Sequence, residues 1–171
     1  MAPGLVRDDP PLIADEATAL SAWLDFHRTT LQQKCEGLSA EQMVRKSVPP
    51  SAMTMLGLVR HMTGVEWWWF EHVFAGESTP DPIDPTGEDP QAEWHVLDLP
   101  IADTALDDFA RQCARSRGVV DAAVSLDALS ASADAPERDL RWVMVHMIEE
   151  YARHNGHADL LRECIDGVVG D

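Results

Sequence analysis

Apolar residues recurring at three- and four-residue spacings predict four long helices, over 15–36, 51–75, 104–124 and 139–166. Asp15 stands where it can cap the first, whose stripe is Ala17, Leu20, Trp23, Leu24, Leu31 and Cys35, and Gly37 ends it. Ser39, followed three residues later by Gln42, predicts one capped turn before Pro49-Pro50 stops it. The second helix then starts from Ser51, with Met55, Leu58, Val59, Met62, Val65, Glu66, Trp69 and Val73 inward. Trp67, Trp68 and Trp69 span about 200° of a regular helix, so they cannot all face one core. In the third helix Leu106, Phe109, Ala110, Cys113, Val120 and Val124 are expected inward. The fourth carries Leu140, Val143, Met144, Met147, Tyr151, Ala158, Leu161 and Ile165.

The connectors differ in character. Residues 1–13 hold three prolines and little periodicity, which predicts a mobile leader ahead of one domain over 14–171. The stretch 76–100 is acidic and proline-rich, and a connection of that length in a compact domain suggests a crossover or a lid. Residues 125–138 form a second connector.

Charge narrows the partners. Thirteen Lys and Arg against thirty Asp and Glu give a formal net charge of −17, which repels phosphate backbones and anionic lipid. Neither nucleic acid nor membrane is therefore expected, and no run approaches the ~20 apolar residues of a membrane span. The first residues lack the apolar core of a signal peptide. Three widely spaced cysteines, Cys35, Cys113 and Cys164, without a CxxC, suit packing thiols in a reducing cytoplasm.

Candidate chemistry lies in the fourth helix, where His146, Glu150, His154 and His157 are set into or beside the apolar stripe. Burying such groups without partners costs roughly 2–7 kcal/mol for a polar group and more for a charge, and a metal ion is the simplest partner. His146 and His154 are about 12 Å apart along the axis and cannot share a small ion. The pairs His146–Glu150, Glu150–His154 and His154–His157 can. Each needs a further ligand from another helix. His61, at the edge of the second stripe, is the natural third, and His27, inside the first, is a further contender. Nitrogen and oxygen donors of this kind suit Zn²⁺, Ni²⁺ or Fe²⁺, and three protein ligands leave an open, catalytic position.

The segment EYARHNGHADLLRE resembles the last-helix signature of the DinB-like superfamily, often H-x-x-x-H-x-G-Q. Glu150 stands at the first ligand, His154 at the second, Gly156 at the glycine and His157 at the glutamine. Upstream, the stretch from LDFHRTTLQQKCEGLSAEQ through GLVRHMTGVEWWWFEHVFAG is similar to the branch known as domain of unknown function 664. The resemblance implies an all-α four-helix bundle of the DinB/YfiT-like type with a long crossover connection, commonly a homodimer. It also implies one divalent metal held by His61, Glu150 and His154. Glu150 departs from the common all-histidine set and matches the His/Glu/His arrangement of the related mycothiol-dependent maleylpyruvate isomerases.

What the resemblance implies for function is a metal-dependent enzyme using a low-molecular-weight thiol such as mycothiol for S-transfer or thiol-dependent isomerisation of a small-molecule substrate. Metal-assisted hydrolysis, or a non-catalytic dimeric metal-binding bundle, are the alternatives. His157, His146, His27, Arg28, Arg153 and Trp68 are candidates for the pocket or for contacts behind the ligands.

Overall fold

Side-chain caps start most of the helices in the computed structural model, which describes residues 5–95 and 97–170. Asp15 accepts from the Thr18 amide at 3.0 Å and opens α1 (Glu16–Cys35). Ser39 and Gln42 cap each other's amides at the single turn α2 (Ala40–Met43), as their spacing predicts. Thr54, rather than Ser51, caps α3 (Met55–Glu66), its hydroxyl accepting from the Gly57 amide at 2.9 Å. The Ser51 hydroxyl is already engaged in a turn, accepting from the Met53 amide. Asp98 caps α5 (Leu99–Ala122), which begins before the expected residue 104 because Pro100 fits the first turn. Asp139 caps α6 (Leu140–Asp166), and Gly167, at φ +81°, closes it in the left-handed conformation.

The tryptophan run resolves the crowding expected of it by a change of helix type. α3 continues without a break as a π-helical segment, Trp67–Phe74. Trp67 is buried, Trp69 packs on the core edge, and Trp68 projects outward, 39% exposed, against the His72 ring.

Among the described residues the fold is all-α, with no β-strand. The largest helix contacts are α1 with α6 and α3 with α5. Between them lies a core of Leu24, Leu31, Leu58, Met62, Phe70, Phe109, Met144, Met147 and Tyr151. Inside it sits a buried charge pair: Arg28 donates to both Glu66 oxygens at 2.8 Å, and the Tyr151 hydroxyl donates to Glu66 Oε1 at 2.6 Å. Burial works against both charges, but their mutual attraction outweighs it, raising the Arg28 pKa and lowering that of Glu66. The cluster ties α1, α3 and α6 in one register.

Several expected core positions lie outside. Ala110, Val124, Trp23 and Cys164 are exposed, and α5 buries Ala105, Gln112 and Ser116 alongside the expected Phe109 and Cys113. The helix turns a polar residue inward because Gln112 donates to the buried Glu71 carboxylate at 2.6 Å.

Nor is the acidic connector structureless. Asp81, Asp84 and Asp89 accept backbone amides, building turns that lead into the short helix α4 (Ala92–His95). From the leader, Leu5 bonds Glu36 and Gln33, while Arg7 bonds Thr30 and lies 4.4 Å from the Phe26 ring centre. Residues 1–4 lie outside the described part. Among the described residues no helix is long and apolar enough to cross a membrane.

Candidate metal centre

The four-residue spacing of Glu150 and His154 puts both side chains on one face of α6, where His154 Nε2 lies 3.4 Å from Glu150 Oε2. His61 meets them from α3, its ring 4.7 Å from that of His154 and tilted by 58°. One donor atom from each of His61, Glu150 and His154 lies within 4.8 Å of the others. Tetrahedral ligands at 2.0–2.2 Å from zinc sit ~3.3 Å apart. The Glu150–His154 edge has that length, and no edge is more than ~1.5 Å too long, within reach of small side-chain rotations.

The donor chemistry fits a cation. His154 is buried, and its pKa is pushed down to about 4, first by burial and then by His61, His157 and Arg153, so it is neutral at pH 7 with a free lone pair. A carboxylate beside two imidazoles is a ligand set for a borderline divalent ion.

Further contacts hold these side chains. His157 Nδ1 lies 3.3 Å from His154 Nδ1. Glu150 Oε1 faces His146 Nε2 at 3.6 Å and Arg153 at 3.7 Å, which leaves Oε2 for His154. His146 is itself stacked on Trp142 and met edge-on by Trp69. His146, Glu149 and Glu150 form a second group of converging donors. There Arg153 already pairs with both carboxylates, so a cation would meet a resident positive charge.

Two of the expected pocket residues have other partners. Arg28 is committed to Glu66 in the core. His27 lies half-buried beside Trp23 and Phe26, and contacts α6 through Asn155, which donates to its carbonyl at 3.1 Å. Trp68 does line a cavity on which His61 opens, about 390 Å³ in volume, together with Trp67, Val65, Ile83, Asp84 and Glu93. A larger cavity of about 640 Å³, bounded by Glu71, Phe74, Arg115 and Val119, contains none of the converging ligands.

The connector contributes residues that sequence reasoning passed over. Glu93 Oε1 is 3.4 Å from His61 Nδ1, and the Trp94 ring stacks on His61 at 5.4 Å and 28°. His95, at the end of the same short helix, is exposed and pairs with Asp89. No spacing rule would have found Glu93, because its partner lies in another helix and the chain between has no period.

A family model described as MST, mycothiol-S-transferase, fits residues 19–167. No curated protein matches the chain.

Proposed function

The chain belongs to the mycothiol-S-transferase family, within the DinB-like superfamily, and from that premise we propose that it moves the sulfur of a low-molecular-weight thiol such as mycothiol onto a small electrophile in a divalent-metal-dependent reaction. The observation that carries the metal part is the convergence of His61, Glu150 and His154 from two helices. These three would hold Zn²⁺, Ni²⁺ or Fe²⁺. When bound, such an ion supplies Lewis acidity that lowers the pKa of a thiol and favours thiolate at neutral pH.

The chain's own residues do the rest. His154 stays unprotonated first because it is buried, and then because the Arg153 guanidinium lies nearby. His146 and Arg153 orient the Glu150 carboxylate, and His157 orients the His154 ring. Trp67, Trp68, Val65 and Ile83 offer an apolar wall that can seat an electrophile beside His61 and exclude water. In the transfer, the thiol gives its proton to solvent and a sulfur–carbon bond forms. The leaving group departs with the pair that bound it to carbon. In the isomerisation variant the same sulfur adds and is later expelled.

A homodimer belongs to this reading, supported by the exposed Trp23, Trp142 and Val145. So does a cytoplasmic setting, consistent with the free thiols of Cys35 and Cys113.

The test is turnover of an activated aryl halide by zinc-loaded protein with and without mycothiol. Product is expected only when thiol and protein are both present. Loss of the electrophile to water without thiol would favour a hydrolase. No turnover of any electrophile, together with a lower melting temperature in His154→Ala, would favour a metal-stabilised binding bundle.

A further inference from the structure

We infer that Glu93 is a positioning residue for His61: its carboxylate accepts the Nδ1–H of the imidazole and so leaves the Nε2 lone pair for the site shared with Glu150 and His154. The inference deepens the proposed function and rests on its reading of His61 as a ligand. Its first support is the approach of Glu93 Oε1 to His61 Nδ1 at 3.4 Å, with both side chains largely shielded from solvent. An imidazole nitrogen that faces a carboxylate is held in its N–H form, which fixes the tautomer and raises the basicity of the other nitrogen.

The second support is that α4 is docked on α3 around this contact. Gly57, Arg60 and His61 share a face of α3 at three- and four-residue spacing. All three meet α4. Arg60 donates to the Ala92 carbonyl at 3.2 Å. The Trp94 ring covers His61, and it fits because residue 57 has no side chain: a Cβ there would fall 2.6 Å from Trp94 Cε3. The acidic connector, between the π-helical segment and α5, thus brings one carboxylate to the edge and one indole to the face of a single imidazole. Because Trp94 limits the ring's rotation and Glu93 selects its nitrogen, His61 is prepared for its role before any ion arrives.

The experiment measures Zn²⁺ affinity by competition with a chromogenic chelator, and reads the His61 tautomer by ¹⁵N-resolved NMR on metal-free protein. Glu93→Ala should weaken zinc binding about 10- to 100-fold, the usual effect of losing such a partner behind a ligand. Glu93→Gln, which keeps an acceptor but not the charge, should fall between Glu93→Ala and wild type. Glu88→Gln, on the exposed part of the same connector, should bind as wild type does. Gly57→Ala should weaken binding with Glu93 intact, by displacing Trp94. Metal-free wild type should show His61 in the Nδ1–H form, and Glu93→Ala a mixture.

Unchanged affinity in a folded Glu93→Ala protein, or the Nε2–H tautomer in wild type, overturns the inference and leaves the metal site standing. Failure of wild type itself to bind zinc, nickel or iron overturns the metal reading, and the role of Glu93 behind it.

Discussion

Removing one half of the Arg28–Glu66 pair should cost far more than removing both. Glu66 is fully buried and Arg28 is 3% exposed, so Glu66→Leu leaves a guanidinium in the core without its bidentate partner. Breaking a buried pair in this way destabilises by about 3–5 kcal/mol. Asp25, 3.0 Å from Arg28, offers little rescue because its side chain is about half exposed and the attraction is screened. Arg28→Met should be similarly costly, leaving a buried carboxylate satisfied by Tyr151 without its cation. In Arg28→Met/Glu66→Leu no charge is stranded and mainly the Tyr151 hydroxyl loses its acceptor, a cost of about 1–3 kcal/mol. Urea unfolding of the four proteins at equal m-values gives the cycle, and the expected coupling is at least ~2 kcal/mol. Single-variant losses that simply add in the double variant would show that the two side chains do not act as a pair. The cluster matters to the site because Tyr151 adjoins Glu150 on α6 while Glu66 lies on the helix that carries His61. The Tyr151–Glu66 hydrogen bond thereby helps to fix how α3 and α6 slide past each other.

Thiol reactivity and pH response give two further checks. Burial pushes the Cys35 thiol up to about 12 and raises Cys113 further, whereas Cys164 is exposed. Ellman's reagent should therefore titrate one thiol in the native chain and three after denaturation, and fast reaction of more than one would contradict the packing. Burial first, and then Arg7, holds His27 below its ordinary value of 6.5. The unfolded chain takes up that proton first, so the stability present above pH 6.5 is lost as pH falls toward the lower folded value. His27→Gln should show a smaller drop in melting temperature than wild type between about pH 7 and 5, and equal drops would rule out this source.

The first and last helices were legible because caps and stripes agree: Asp15 and Asp139 both cap where the pattern begins, and Ser39 likewise marks the single turn α2. Ser51 misled because a hydroxyl beside two prolines serves a turn as readily as a helix, and Thr54 lies at the true start. On α5, Phe109 and Cys113 follow the apolar spacing, but that spacing cannot anticipate that Gln112 is wanted by a buried glutamate. The tryptophan run signalled a conflict, but not that a π-helical segment would answer it. At the site, i/i+4 spacing made the Glu150–His154 face readable, and an imidazole on a second apolar helix pointed to His61. The connector's part was not readable: the contact of Glu93 with His61 depends on the path of an aperiodic segment, which only the fold supplies.

On the proposed reading, one divalent ion sits among His61, Glu150 and His154. Elemental analysis of untagged protein, paired with equilibrium dialysis against Zn²⁺, Ni²⁺ and Fe²⁺, counts that ion. One ion per chain is expected in wild type and none in folded His61→Ala or His154→Ala. Full occupancy in either variant, or none in wild type with any of the three metals, would contradict it.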